Sequence, residues 1–465
     1  MSSLPLAHAL VARQDLPVPA WLFAWGASIV LIASFFALSV GWRRPRFEED
    51  GWRPLGAGVS RVLCGAPAQV LCGAIGVFLL GVGIYSGLRG TEAPDRNFAL
   101  TFFYVTAWLG IPLLSVFLGN VFRPFNPWRA IGRAGGGAFE ALAGQRFAHA
   151  RYPQRLGRWP AAVGLVAVVW LEIIYGSSGG VAVGLSPHVA AVAAFAYTIY
   201  TLAMMAVFGT EEWCERGEVF SVYFGMFSQL GVFEARQGRL GVRRPFSAAT
   251  RWAGAIPGSV AMVVTSIGTT SFDGAQEGVL KQPVLDTFNW LSDRGLDLTT
   301  SLRLADSIFL AVCIGGVALV YYLGVGGMRT VRGAPPAREL RAGFAHVLIP
   351  IAFAYLVAHY FSLFVFQEQA QFTYLLSDPL GTTTTDLFGT ASSGVDYRVV
   401  SANAIWYVQV AALIVGHVVG LTLAHDRAIT YWRDYRQAAR SQYWMLAVMV
   451  ALTCFGLYLL SSANG

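Results

Sequence analysis

Residues 159–176 have the sequence WPAAVGLVAVVWLEIIYG, an apolar run in which Glu172 is the one charged side chain. A helix that crosses the hydrocarbon core of a bilayer needs about 20 mainly apolar residues, so this run predicts a membrane-spanning helix. A carboxylate at membrane depth costs several kcal/mol unless it faces a partner, water or an ion. Glu172 therefore indicates a polar site inside the membrane, and His359 and His417 lie in two other apolar runs.

The composition of the chain excludes an ordinary soluble protein. Of its 465 residues, 55% are hydrophobic and 13% are charged, whereas soluble domains carry about 25% charged residues. The fold class predicted is all-α, a polytopic membrane helix bundle in which residues 1–465 form a single transmembrane domain. The ten predicted spans are 18–42, 62–88, 98–122, 159–176, 188–209, 252–271, 306–328, 343–366, 403–425 and 443–461.

The basic residues predict the orientation of this bundle. Of the 33 basic residues, 26 are arginines in the five loops 43–61, 123–158, 210–251, 329–341 and 426–442. Because cytoplasmic loops carry the excess of arginine, both termini are predicted to lie outside. The net charge of +7 is thus explained by the orientation of the chain in a lipid bilayer. The predicted partner is the bilayer, and no nucleic-acid partner is predicted. Lys281 is the single lysine, a bias typical of GC-rich genomes, and this favours a bacterial plasma membrane.

The loops add two features to this prediction. The outer loops 272–305 and 367–402 are long and acidic. Loops of this length often cover a site or move, and solvated surface loops are the equally open alternative. On the inner side, residues 211–230 have the pattern of an amphipathic interfacial helix, with Glu211, Glu215 and Glu218 on one face. Surface-lying helices favour Lys and Arg on their polar face, so this acidic face is expected to meet an arginine-rich inner loop; the alternative is a face that is simply solvated.

Helical rise places four polar side chains in one outer layer of the bundle. Glu172 lies roughly 6 Å from the outer end of its span and His359 roughly 10 Å, with Gln409 at a similar depth and Asp273 at the outer end of span six. His417 is roughly 20 Å deep and belongs to another layer. Carboxylates and imidazole at one depth suit a divalent metal ion, and they equally suit a proton or cation pathway or buried structural hydrogen bonds.

Several stretches together resemble a known group of proteins. They are HALVARQDLPVPAWLFAW at 8–25, NPWR at 126–129, WLE at 170–172, GEVFSVYFG at 217–225 and TSFDG at 270–274. These stretches are similar to those of the bacterial, actinobacterial-type polytopic membrane proteins that carry the name fenitrothion hydrolase. The resemblance extends from residue 8 to about residue 430 and so covers most of the chain.

This resemblance implies hydrolysis of a small lipophilic organophosphate triester, with metal-bound hydroxide attacking phosphorus in the outer layer. Glu172, Asp273 and His359 would be the ligands of a divalent metal ion or the general base. His417 is a further candidate ligand, and Gln409 and His8 are second-layer candidates. Two other functions fit the same residues: a proton- or cation-coupled transporter of a small lipophilic solute, and a non-catalytic subunit of a membrane complex.

Overall fold

The computed structural model describes residues 20–48, 51–145, 147–176, 185–276, 278–432 and 434–462. Among the predicted site residues, His8 lies outside these ranges and the others lie within them. The helices are α1 (Ala20–Gly41), α2 (Ala57–Cys64), α3 (Ala66–Arg89), α4 (Phe98–Thr101), α5 (Ile111–Leu118), α6 (Phe122–Phe125), α7 (Pro127–Ala143), α8 (Trp159–Val169), α9 (Pro187–Phe208), α10 (Thr210–Arg216), α11 (Val219–Ser228), α12 (Ala249–Ala255), α13 (Ser259–Gln276), α14 (Lys281–Ser292), α15 (Leu298–Met328), α16 (Ala337–Phe344), α17 (Ile349–Phe372), α18 (Tyr374–Ser377), α19 (Ala402–Tyr431) and α20 (Tyr435–Ser462).

Three further helical segments depart from α-helical geometry. A π-helix, Phe102–Gly110, connects α4 to α5, and a second one, Trp170–Tyr175, continues α8. A 3-10 segment, Ala345–Leu348, leads from α16 into α17. All three continue an α-helix without a break in the chain, so that α8 and the second π-helix form one 17-residue apolar helix, Trp159–Tyr175.

Helices stand at all ten predicted spans, and the prediction of an all-α, multi-pass membrane bundle is confirmed. In the part of the chain that the structure describes, eight helical stretches are long and apolar enough to cross a membrane. The two spans that fall short are Trp159–Tyr175, with 17 residues, and α13, which is rich in Ser and Thr. Nearly all of α13 is buried between α8, α15 and α17. A helix enclosed by other helices needs less apolar surface than one that faces lipid.

The chain contacts place the arginine-bearing loops together at one end of the bundle. Asp426 accepts a hydrogen bond from the Arg46 amide, Arg244 donates to the Arg46 carbonyl, and Glu211 pairs with Arg129. We call this the arginine-rich end. The segments that meet at the opposite end include 90–97 and 378–381, where the Thr91 amide donates to the Leu380 carbonyl. The loops thus divide between two ends as predicted, and the assignment of the arginine-rich end to the cytoplasm stays a prediction.

Both ends of the described chain lie opposite the arginine-rich end. Helices α1 and α20 pack against each other. Ser28, near the start of α1, contacts Cys454 near the end of α20, and Tyr435 at the start of α20 donates to the Ser39 carbonyl near the end of α1. The two helices are therefore antiparallel, as an even number of spans requires.

A small antiparallel sheet covers the arginine-rich end. Its strands are β1 (Arg53–Pro54), β2 (Phe233–Arg236) and β3 (Arg239–Val242), in the order β1-β3-β2. In its register Arg53 lies opposite Val242, and Phe233 lies opposite the same Val242 on the other side of β3. The sheet joins the segment after α1 to the hairpin after α11, and so fixes two distant parts of the chain.

The predicted inner helix at 211–230 is two helices, α10 and α11, separated by Gly217 and Glu218. The break follows from Glu218, whose carboxylate accepts from the amides of Phe220 and Ser221 and thereby caps α11. An acidic side chain in this position stabilises the start of a new helix. The expected pairing is present, because Glu211 contacts arginines of the 123–158 segment.

The two predicted outer loops contain more helix than the sequence indicates. Within 272–305 the structure has the end of α13, the whole of α14 and the start of α15. Within 367–402, helix α17 continues to Phe372 and α18 follows at once, so the irregular stretch is 378–401. The charged residues of these stretches lower the mean hydropathy, and for that reason the sequence indicated loops. In the structure many of these residues lie on helices that extend beyond the apolar spans.

Candidate functional site

Asp273 is the centre of a hydrogen-bonded group inside the bundle. Its Oδ2 atom lies 2.8 Å from Nε2 of His359 and accepts a hydrogen bond of 2.5 Å from the hydroxyl of Tyr360. A carboxylate oxygen is an acceptor, so the His359 tautomer that fits carries its proton on Nε2 and leaves Nδ1 as a base. Asp273 is buried, while the His359 side chain keeps 23% of its surface exposed.

Local sequence explains why these groups meet. Asp273 lies in the last turn of α13, and His359 lies in the middle of α17, against which α13 packs. The residue after Asp273 is Gly274, and a Cβ atom there would come within 3.3 Å of His359 Nδ1. Glycine at this position therefore leaves room for the imidazole ring beside the helix.

Glu172 joins this group from a third element, the π-helix Trp170–Tyr175. It is half-buried, and it lies near enough to Asp273 and Tyr360 for their charges to interact. Tyr104, on the other π-helix Phe102–Gly110, is in the same electrostatic contact with Glu172. Asp273 thus binds His359 and Tyr360 directly, and Glu172 and Tyr104 extend the group by electrostatic interaction.

Both π-helical segments of the described chain supply a residue to this group. The Trp170–Tyr175 segment carries Glu172, and the Phe102–Gly110 segment carries Tyr104. A π-turn inserts an extra residue into a helix and so turns the following side chains to a new direction, and such turns are frequent at functional sites. The coincidence of both irregular segments with this polar group favours a functional role for it.

The group lies towards the end of the bundle opposite the arginine-rich end. Glu172 and Asp273 each precede the end of their helix by three residues. Helix α17 continues for 13 residues beyond His359, roughly 20 Å at 1.5 Å per residue. The polar group is therefore set below the level that α17 reaches, and the His359 side chain keeps 23% of its surface exposed.

Two other predicted residues, His417 and Gln409, lie on α19. His417 is fully buried, its Nδ1 atom lies 2.7 Å from the Leu413 carbonyl, and its ring packs against Tyr355, one helical turn below His359. Gln409 is buried two turns away from His417 on α19. Nε2 of each side chain has no hydrogen-bond partner within the described chain. The structure thus brings Glu172, Asp273 and His359 together and places His417 one turn deeper, against the Leu413 carbonyl, while His8 is outside the described residues.

The placement of these side chains bears on the predicted metal site. Asp273 Oδ2 and His359 Nε2 are hydrogen-bonded to each other in this structure. Over residues 20–462, apart from the stretches that are not described, no group of three or more His, Cys, Asp and Glu side chains has the spacing of a metal site. The divalent metal stays a prediction, to be tested by elemental analysis.

Sequence reasoning did not identify two members of the group, Tyr360 and Tyr104. Tyr360 is the neighbour of His359 on α17, and its approach to Asp273 depends on how α13 and α17 face each other. Tyr104 depends on a π-turn. One feature of the sequence could have pointed to them: both are tyrosines in apolar spans. A buried tyrosine hydroxyl needs a hydrogen-bond partner, so such tyrosines are candidates to bind a nearby polar group.

A second polar cluster, at the arginine-rich end, is structural. Asn126 caps α7 by accepting from the Arg129 amide, and its side chain donates to Glu218 and to Ser221. Arg123, Arg129 and Arg133 all pair with Glu211. Burial alone would raise the pKa of Glu211, but the hydrogen bond from Arg129 and the arginine charges hold that pKa below its usual range. The NPWR stretch thus joins α7 to α10 and α11.

Comparison with known proteins identifies no relative of this chain. No family model matches it, and neither a curated protein nor a solved structure is significantly similar to it. The resemblance to the fenitrothion hydrolase family therefore stays a prediction, and the geometry of the Asp273 group is the main basis for assigning a function.

Proposed function

We propose that this protein is an integral membrane hydrolase of lipophilic organophosphate-type esters, with His359 as general base. One observation carries the proposal: the 2.8 Å contact between His359 Nε2 and Asp273 Oδ2 inside a membrane bundle. An imidazole held by a carboxylate is the arrangement by which hydrolases activate water or a hydroxyl nucleophile. The substrate class comes from the resemblance, and the bacterial plasma membrane comes from the arginine bias.

The proposed chemistry uses the residues as they are placed. His359 Nδ1 takes a proton from water, the water oxygen bonds to phosphorus, and the bond from phosphorus to the aryl oxygen breaks. The aryl oxygen leaves as the phenol after receiving the proton from His359. Asp273 balances the positive charge on the imidazole in between, and Tyr360 fixes the Asp273 carboxylate by its second hydrogen bond.

The location of the site suits such a substrate. The bundle is enclosed by apolar helices, so an ester dissolved in the bilayer is concentrated around it. In this proposal water reaches His359 through the 23% of its side-chain surface that is exposed. A lipophilic ester and water thus approach the same base from two phases.

The test is phenol release from a dialkyl aryl thiophosphate such as fenitrothion, by protein purified into nanodiscs. We expect His359→Gln to lower kcat/KM by about 100-fold or more, the range of general-base catalysis. His149→Gln is the matched control, because His149 is an exposed histidine at the arginine-rich end. The proposal fails if purified wild-type protein releases no phenol, or if both histidine variants keep the wild-type rate.

Glu172 favours a second candidate function, proton- or cation-coupled transport of a small lipophilic solute. It places a second carboxyl group in electrostatic contact with Asp273 inside the membrane, and intramembrane carboxylates often carry coupling ions. Proteoliposomes with an imposed proton or sodium gradient distinguish the two functions. Gradient-driven uptake that Glu172→Gln abolishes, without chemical turnover, would assign the group to transport.

A further inference from the structure

A small basic cavity lies at the arginine-rich end, far from the Asp273 group. It has a volume of about 190 Å³ and is lined by Tyr322, Val325, Gly326, Arg329, Ala337 and Arg341. These residues come from the end of α15 and the start of α16, which are tied together by the hydrogen bond from Tyr321 to the Arg341 carbonyl. The volume is below the 300–1,000 Å³ of sites for drug-sized ligands, so the cavity suits one compact group.

The charge around this cavity is not balanced by acidic side chains. Residues 329–341 contain four arginines, and Glu339 is the one acidic residue among them. Other arginines at this end have acidic partners, namely Arg129 with Glu211, Arg243 with Glu234 and Arg427 with Glu48. Arg329 and Arg341 have no such ion pair in the described part of the chain. The cavity is therefore a site of positive potential.

The cavity opens where the protein meets lipid. Leu319 and Leu323, on the turns of α15 that precede it, are 58% and 62% exposed, as expected for side chains in contact with acyl chains. Tyr322 stands between them and the cavity, and the Arg341 guanidinium lies 5.5 Å from its ring centre. An apolar surface that leads to an aromatic ring and then to two arginines matches an acyl chain, an interface and an anionic headgroup in that order.

We propose that this cavity binds the phosphate headgroup of an anionic phospholipid of the cytoplasmic leaflet, held by Arg329 and Arg341. Guanidinium groups bind phosphate oxygens through paired N–H donors, which favours arginine for this task. Gly326 completes the site, because a Cβ atom at its position would meet nothing within 4 Å and the headgroup has that space. The inference does not depend on the proposed hydrolase activity.

The experiment is native mass spectrometry of the purified full-length protein titrated with phosphatidylglycerol and, separately, with phosphatidylcholine. We expect tight binding of one phosphatidylglycerol and weak binding of phosphatidylcholine. Arg329→Ala combined with Arg341→Ala should weaken phosphatidylglycerol binding by about 30-fold, from about 1 kcal/mol for each arginine. Gly326→Leu keeps both arginines and fills the cavity, so it should weaken binding to a similar degree.

The matched control is Arg151→Ala combined with Arg155→Ala, which removes the same charge from exposed positions at the same end. It should change phosphatidylglycerol binding by less than twofold, and the melting temperature of each variant shows that it is folded. Equal loss in both double variants would overturn the proposal, since general surface charge would then explain binding. Equal affinity for phosphatidylcholine would overturn it as well. Displacement of the lipid by inorganic phosphate at comparable concentration would reassign the cavity to free phosphate.

Discussion

At the scale of single residues, Asp273 decides what the site can do. One of its oxygens receives hydrogen bonds from His359 and from Tyr360, on neighbouring positions of the same helix. A carboxylate held by two donors has one orientation, and it selects one tautomer of the imidazole. The remaining nitrogen, beside Gly274, is then a base of fixed direction. General-base catalysis requires this combination of protonation state and geometry.

Glu211, at the arginine-rich end, is likewise a carboxylate held by hydrogen-bond donors. There the hydrogen bonds and arginine charges affect the stability of the fold. Its pKa is depressed in the folded protein by the Arg129 hydrogen bond and the surrounding arginines, which outweigh its partial burial. A carboxylate whose pKa is lower in the folded than in the unfolded protein stabilises the fold at any pH above its unfolded pKa, which is about 4.3 for glutamate. That stability is lost as the pH falls through the folded pKa. Since the Glu211 side chain is 49% exposed, solvent screening limits the contribution.

We therefore expect Glu211→Gln to lower the free energy of unfolding by up to about 1 kcal/mol at pH 7. The difference from wild type should shrink below about pH 4 and vanish below the folded pKa. Thermal unfolding in detergent between pH 3 and pH 7 measures this, with Glu339→Gln as control because Glu339 is exposed at the same end. A destabilisation that stays constant across this pH range would show that the carboxylate charge is not its cause.

At the scale of elements, the end of α19 holds the segment that follows α1. Asp426 accepts hydrogen bonds from the Trp42 side chain at 2.8 Å and from the amides of Arg46 and Phe47 at 2.6 and 3.0 Å. Asp426 itself is almost completely buried. One carboxylate thus satisfies three donors that would otherwise be left without partners in the protein interior.

We expect Asp426→Ala to destabilise the protein by about 3 kcal/mol, because it removes charge-assisted hydrogen bonds and leaves buried donors unpaired. Asp434→Ala is the control. Asp434 is exposed and accepts from the Arg436 amide at the start of α20, so its loss should cost about 1 kcal/mol or less. Denaturant unfolding in detergent micelles compares the two. Similar losses for both variants would contradict the assignment of Asp426 as the link between α1 and α19.

The position of a helix could be predicted from the sequence where hydrophobicity alone determines it. The run before Tyr175 and the span that contains His359 are helices because long apolar segments must satisfy their backbone groups internally. The break at Glu218 was missed because the acidic residues were assigned to one amphipathic face, whereas this side chain caps a new helix. The π-turns were missed for a different reason. Their sequence is apolar like that of the flanking helices, and the extra residue in each turn depends on tertiary packing.

At the scale of the whole molecule, the two ends of the bundle have different roles. The arginine-rich end is fixed by ion pairs and by a small sheet. The opposite half holds the Asp273 group, where two shorter helices end among longer ones. This division could be predicted in part, since depth along each span placed Glu172, Asp273 and His359 in one layer. The rotation of each helix could not be predicted, and rotation is what turns His359 and Tyr360 of α17 towards Asp273 of α13.

A double-mutant cycle decides whether His359 and Asp273 act as one catalytic unit. Ester cleavage is measured in nanodiscs for wild type, His359→Gln, Asp273→Asn and the double variant. Each single variant should lower kcat/KM by about 100-fold or more. The double variant should be no less active than the worse single variant, because residues that act as a unit give non-additive losses. Losses that multiply in the double variant, or wild-type activity in either single variant, would show that the two residues do not form such a unit.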